Sequence, residues 1–386
     1  MPDIFKTIES ETNMRLSLST LPLLLALTVI ASLCNVAKAA QLSVTLKNPP
    51  AEGSVALALF DSANSFGDLR NPARLKIFEL DGRDTYLLED IPAGEYALMV
   101  YYDENDNLKI DKNFIGIPTE PLGFSNEYEP KGPPSFSRAA FQLSESELRE
   151  FTVALYRPMG ERGRWGLGVG AIGRTSPYRD YDDNVIRVIP AISYNGERLQ
   201  ILGPNIDFGL LGTGKLRLAA TGSYRIGVYE EDDSDYLAGM GDRDDTFMAG
   251  LGFNAELPQG VDLALSYKHD VQDNIGGGEA RIALDKSFQY GTFRFSPAIG
   301  VNWLAQDLAN HDFGVPQNKA LPGRPAYSVS STYSLDVGVS VLYEVTTDWL
   351  VVLSATTEFF EDEVTDSPIV DEDYVVKGFF AINYLF

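Results

Sequence analysis

The 386 residues are enough for two domains or one large one, and a net charge of -24 argues against nucleic acid, whose phosphates would be repelled. An acidic balance of this kind is compatible with an outer membrane, where acidic loops and divalent cations coexist. The one cysteine, Cys34, lies in a segment expected to be removed, which leaves no disulfide, thiol nucleophile or cysteine metal site.

Residues 21–33 are a short apolar run, with Arg15 before it and Ala37-Lys38-Ala39 after it. A basic flank, an apolar core and a small-x-small site read as a secretory leader, cleaved after Ala39. The run is shorter than the roughly 20 residues a membrane helix needs. Met14 is the better start, because the acidic stretch before it suits a leader poorly. Leu33 is bulky where a lipobox needs a small residue, so a lipoprotein is not expected.

Residues 40–157 read as a small β-sandwich. Leu42-Ser43-Val44-Thr45-Leu46 alternates, residues 54–60 form a second strand, and Pro92-Ala93-Gly94 turns into a third over 97–102. Residues 151–156 form the last. The Pro- and Gly-rich stretch 116–137 is expected to be a long loop. After the third strand, Asp103, Asn105, Asn107, Lys109 and Asp111 recur at alternate positions. Oxygen ligands at this spacing resemble a calcium loop, with Lys109 offering only its carbonyl. Leu108 stands where such loops have Gly, and Phe114 where they have Glu; Glu120 could replace that Glu only if the loop folds back. The other reading is a turn whose Asx side chains bond their own backbone. The candidate metal ligands are therefore Asp103, Asn105, Asn107 and Asp111, and calcium is the one cofactor considered.

From about Trp165 the texture changes. Leu216, Leu218, Ala220, Gly222, Tyr224 and Ile226 share one face, and Arg217, Thr221, Ser223 and Arg225 the other. The same alternation returns in residues 293–303, 333–343 and 349–359, and in the final stretch, where Val376, Gly378, Phe380, Ile382, Tyr384 and Phe386 align. A period of two means strands. Soluble strands usually run about 5–6 residues, and these reach ten or more, with aromatics near their ends. Short turns at Asn195-Gly196, Gly212-Thr213-Gly214, Pro258-Gln259-Gly260, Tyr290-Gly291 and Thr346-Thr347-Asp348 alternate with mostly longer connections. One long-side connection, Gly203-Pro204-Asn205, is short. These features predict an all-β chain: a transmembrane antiparallel barrel of about twelve strands over residues 158–386, its short turns and its fused sandwich in the periplasm.

On the lumen side the pattern places Arg187, Lys215, Arg217, Arg225, Lys268, Arg281 and Arg294 with Glu256, Asp262, Asp285, Asp336 and Glu344. Mixed signs suggest internal ion pairs rather than a selective open pore, although twelve strands leave room for a narrow channel. The outer loops are acidic, as in Glu230-Glu231-Asp232-Asp233. They read as solvated loops, or as sites that bridge divalent cations to lipopolysaccharide phosphates. His269 and His311 each precede an Asp at a strand end or loop. Neighbours on a strand face opposite sides, and no Ser nucleophile motif accompanies them, so no catalytic residue is assigned.

Trp165-Gly166-Leu167-Gly168-Val169-Gly170, Pro177-Tyr178, residues 189–194 and above all Leu237-Ala238-Gly239-Met240-Gly241-Asp242-Arg243-Asp244-Asp245-Thr246 resemble the MipA/OmpV family of MltA-interacting outer-membrane proteins. The resemblance covers residues 160–386. The stretch 40–157 resembles a family of small periplasmic β domains of unknown function, through Pro92-Ala93-Gly94-Glu95-Tyr96 and Gly116-Ile117-Pro118-Thr119-Glu120. Typical MipA/OmpV members are mainly barrel, so the fused domain is a departure. The resemblance implies a non-enzymatic scaffold linking a lytic transglycosylase and a penicillin-binding protein. The alternative is a narrow channel or receptor for small solutes. Membrane lipid and lipopolysaccharide, and the barrel-assembly machinery acting on the Tyr384/Phe386 strand, are the other expected partners.

Overall fold

A computed structural model describes residues 39–181 and 185–386. Apart from Ala39, the leader lies outside the described residues.

The amino-terminal part has eight strands: β1 (Ala40–Leu46), β2 (Ser54–Phe60), β3 (Arg74–Glu79), β4 (Thr85–Ile91), β5 (Gly94–Asp103), β6 (Leu122–Phe124), β7 (Phe141–Leu143) and β8 (Leu148–Val153). One sheet runs β4-β1-β8 and the other β3-β2-β5-β6, with β7 also paired to β5. Alternate residues Leu42, Val44 and Leu46 turn inward and meet Val55, Leu57, Leu59, Leu98 and Val100 between the sheets. Burying each such side chain contributes about 1.5–3 kcal/mol.

β2 is buried on both faces, because Ala56, Ala58 and Phe60 are covered by Phe66, Phe124 and Phe136. Phe66 sits edge-on to Phe60, Phe124 and Phe136, with centroids 5.4, 5.3 and 6.0 Å away. Two of these three rings come from the stretch expected to be one long loop. That stretch instead holds β6 and the short helix Phe136–Ala139. Three residues are too few for a strand period to show in a sequence.

The remaining strands are β9 (Arg164–Arg174), β10 (Val185–Asn195), β11 (Leu199–Leu202), β12 (Asn205–Leu211), β13 (Leu216–Arg225), β14 (Thr246–Glu256), β15 (Val261–Asp270), β16 (Gly278–Lys286), β17 (Phe288–Tyr290), β18 (Phe293–Leu304), β19 (Thr332–Glu344), β20 (Trp349–Phe360) and β21 (Tyr374–Leu385). β16 and β17 flank Ser287 and both run against β18, so they are one wall strand. The wall therefore has twelve strands. It closes where β21, the strand before Phe386, pairs with β9.

In β19, Leu335, Val337 and Val339 point outward and are 42, 47 and 41 % exposed, while inward Asp336 is 3 % exposed. An apolar belt turned away from the core has lipid as its natural surroundings. Aromatic residues rim it at both ends: Tyr194, Tyr343, Trp349 and Tyr384 at the short turns, and Tyr267, Tyr333 and Tyr374 at the long loops. Ten residues separate Tyr333 from Tyr343, which on tilted strands gives a belt about 25 Å tall. No described helix is long and apolar enough to cross a membrane.

β11 and β12 are short, with four and seven residues. The tight turn between them cuts the hairpin off low, and β10 meets β11 only at Ser193, Tyr194 and Asn195. Pro190 lies where β10 is paired to β9 alone and its edge toward β11 is open. Because the Ile192 carbonyl accepts from Gly203 across that edge, the missing N–H of Pro190 faces the same open side, where no partner needs it. At the turn into β13, Gly212 takes φ +86, and an added Cβ would lie 2.0 Å from the Leu216 carbonyl oxygen. β9 starts and β21 ends at the short-turn end, so the sandwich hangs there.

Candidate functional site

The inward faces of the strands gather the lumen charges read from the sequence, and they fall into two tiers. In the tier toward the long loops they pair within the barrel. Arg281 grips Asp336 with two hydrogen bonds of 2.6 and 2.9 Å. Lys268 lies 2.7 Å from Glu279, and Lys377 pairs with Glu358. Arg187 is exposed and 3.8 Å from Glu230, and Lys215 is exposed at a short turn.

The tier toward the short turns pairs with the amino-terminal domain instead. Arg70 reaches Glu256 at 3.1 Å and Asp262 at 2.9 Å. Lys112 lies 3.5 Å from Glu256, which also meets Arg217 of β13 at 3.3 Å. Asp285 is Asp262's register partner across the β15–β16 ladder. On the neighbouring strands β18 and β19, Arg294 meets Asp68 at 2.5 Å, and Glu344 accepts from Tyr128 at 2.8 Å beside Arg138. Lys131 lies 2.9 Å from Asp348. Burial pushes the Lys112 ammonium down to about 8, against the attraction of Glu256. Burial, reinforced by Glu344, pushes the Tyr128 hydroxyl far above its usual value.

Main-chain contacts fix the fit. Lys112 N–H donates to the Thr213 carbonyl, and Asn113 Nδ2 to the Gly196 carbonyl. Phe114 then projects into the barrel, where a Cβ on Gly252 would lie 3.2 Å from its Cζ. Asn254 Nδ2 donates to the Phe114 carbonyl at 3.2 Å. A larger residue than Gly252 on this inner face would meet the ring. The amino-terminal domain therefore stoppers the short-turn mouth. Sequence reasoning missed this, although one signal was present: acidic Glu256, Asp262, Glu344 and Asp348 cluster at the short-turn ends of the strands, and Arg70, Lys112, Lys131 and Arg138 stand in the small domain.

Above Phe114 lie two cavities. One of about 470 Å³ is lined by Lys268, Glu279, Arg281, Asp336, Glu358 and Lys377, among others. A smaller one of about 130 Å³ includes Phe114, Thr221 and Gly252 in its lining. Ser266 and Arg281 border both.

The long-loop end has an apolar core of its own, with Tyr178, Tyr229, Leu237, Met240, Phe313, Val329 and Ile369 buried. The segment 237–246 builds part of it: Asp242 accepts the Glu231 N–H, Asp245 accepts from Tyr224 and the Gly227 N–H, and Arg243 lies over the Tyr229 ring. Several of the acidic loop residues thus cap backbone rather than stand free in solvent. His311 and Asp312 are on the helix Gln306–Phe313, not a strand, so they do meet, at 3.1 Å. Asp312 is fully buried and also holds Arg225. Burial disfavours its charge, but Arg225 and His311 keep its carboxyl below the usual range. His269 faces outward, while Asp270 turns inward and bonds Thr246 at 2.5 Å.

The loop after β5 brings Asp103, Asn105, Asn107 and Asp111 together. Asp103 accepts the N–H groups of Asn107 and Leu108, and the Asn105 and Asn107 amides donate to Asp111 at 2.7 and 3.1 Å. Glu120 does fold back, and its two oxygens accept the N–H groups of Glu104 and Asp111. Burial, despite those two bonds, raises the Glu120 carboxyl to about 7, with Asp111 and Asp103 adding repulsion. As arranged, the Asx side chains bond one another and the backbone, and no three carboxylates or histidines among the described residues stand close enough to hold a metal.

Comparison with known proteins gives the barrel a family. The family model described as MltA-interacting protein MipA matches residues 167–386, more than half of the chain. A second, for uncharacterized proteins conserved in bacteria, matches residues 44–150. The MltA-interacting protein of Escherichia coli is 29 % identical over 58 % of this chain and 91 % of its own length. Outer membrane protein Omp26La of Vibrio anguillarum is 27 % identical over 54 % of this chain and 81 % of its own. Outer membrane protein OmpV of Vibrio cholerae is 25 % identical over the same shares.

Proposed function

We propose a function from one premise: this chain belongs to the MltA-interacting protein family, and it is an outer-membrane β-barrel. In this reading the barrel is an anchor, and the amino-terminal domain, held at its periplasmic mouth, presents a surface to an enzyme that remodels peptidoglycan. The partner class, a lytic transglycosylase, comes from the name of the Escherichia coli relative; a penicillin-binding protein is a second expected partner. One observation carries the reading. The mouth is filled by the chain's own domain through side chains of both parts, so at rest the molecule offers the periplasm a docked domain rather than an open pore. No catalytic residue is assigned, and the relatives are named as interacting or outer-membrane proteins.

Leu75 and Leu148 are 49 and 54 % exposed, so neither is covered by the barrel. Photo-crosslinkers at these two positions in the full chain should capture a murein hydrolase in cells. Recovery of no peptidoglycan enzyme from either position counts against the scaffold. The channel alternative would instead show as steady single-channel current from the unmodified protein.

A further inference from the structure

The stopper is built from contacts that can part without unfolding either half. Each half has its own closure: the sandwich keeps its two apolar clusters, and every barrel strand pairs within the wall. The main chain crosses between β8 and β9 through residues 154–163 alone. Besides the Phe114 ring and a few hydrogen bonds, what joins the faces is electrostatic. The mouth offers Glu256, Asp262, Glu344 and Asp348, the domain offers Arg70, Lys112, Arg138 and Lys131, and among the described residues Arg294–Asp68 is the one ion pair of reversed sense. Contacts of this polar kind between domains are commonly reversible. Above the mouth the smaller cavity is lined by barrel residues and, from the domain, by Phe114 only.

We propose that the amino-terminal domain is a displaceable plug, and that its withdrawal opens the lumen cavities to small polar solutes from the short-turn side. This goes beyond the scaffold reading and stands independently of it. The chemistry of the larger cavity points to zwitterions. Its charges are mostly paired, as Lys268–Glu279, Arg281–Asp336, Lys377–Glu358 and Arg225–Asp312, while Arg174 binds the Gly227 and Val228 carbonyls. A solute carrying both signs can meet both partners of such a pair, whereas a lone ion leaves one partner unmatched.

Ser266 borders both cavities, and the chain beyond the leader has no cysteine, so Ser266→Cys is a single reporter. In the full chain a charged methanethiosulfonate reagent should modify it slowly. Two separate changes, Phe114→Ala and the pair Arg70→Glu with Lys112→Glu, should each speed modification at least tenfold. Phe114→Ala removes only a ring from a loop, so it reports even if the charge reversal misfolds. Millimolar L-glutamine should slow the reaction in the opened variants, and sulfate or tetramethylammonium should not. Fast modification in the parent, or no acceleration in either variant, overturns the plug. Protection by a lone ion, or none by L-glutamine, overturns the solute class.

Discussion

Arg70 of the small domain and Glu256 of the barrel lie 3.1 Å apart, with side chains only 17 and 8 % exposed. The contact joins two parts that the strand pattern alone leaves unrelated. It sits among Lys112, Arg217 and Asp262: Arg70 and Lys112 of the small domain meet barrel carboxylates, and Arg217 shares Glu256 from within the barrel.

Removing one partner of a buried ion pair costs about 3–5 kcal/mol, because the other charge is left unmatched in a poorly hydrated place. Glu256→Ala strands Lys112 and Arg217, leaves Arg70 only Asp262, and should loosen docking by this order while the barrel stays folded. The read-out is limited proteolysis of residues 154–163, faster in the variant, with the barrel's resistance to heat and detergent unchanged. A linker cut at the parental rate would mean that the pair does not hold the domain.

Glu120 gives the domain a pH dependence of known sign. Its folded carboxyl sits near 7, above the ordinary 4.5. The folded state then binds the proton more tightly, so the contribution is full below about 4.5 and is lost as pH rises through 7. Without divalent cations, stability should fall by about 2–3 kcal/mol between pH 4.5 and 8. Glu120→Gln should flatten this slope in thermal melts. We propose that calcium does the same by drawing Asp103, Asp111 and Glu120 closer together around it than they now stand, with the Asn105 and Asn107 amides turning their oxygens inward. A melting temperature at pH 8 that is indifferent to calcium removes the metal reading, and an unchanged slope in Glu120→Gln removes the pH argument.

The two faces of β19 should respond in opposite ways to a cation. Val337 faces outward near mid-strand, and Arg at the middle of a lipid-facing belt costs about 2–4 kcal/mol. Val337→Arg should sharply reduce folded barrel in outer-membrane fractions. Ser340→Arg, one residue off that register and turned to the lumen, should assemble far better. Equal yields of the two would contradict the assigned facing.

Much of this protein was legible in its residues one strand at a time. Alternation in 333–343 and 376–386 fixes which side chains face lipid, because a pleated strand turns successive residues to opposite faces whatever surrounds it. Short turns such as Asn195-Gly196 fix which ends lie together. The acidic and amide residues 103–111 could be read as a local cluster for the same reason: their partners are a few positions away. β6 and the helix Phe136–Ala139 could not, since three or four residues hold no period. Nor could the His311–Asp312 contact, which needs a helix that its loop setting did not announce.

The destination of the lumen charges was beyond any local reading. Asp262 and Glu344 were expected to pair within the barrel, and they bind Arg70 and Tyr128, 192 and 216 positions away. Charge carries no register: any cation satisfies any carboxylate, so its partner is settled only when the chain has brought both out of water together. The sequence by itself therefore determined the wall, its closure through the strand ending at Phe386, and which face meets the membrane. Only the tertiary structure decided that the mouth of that wall is stopped by the chain's own first domain.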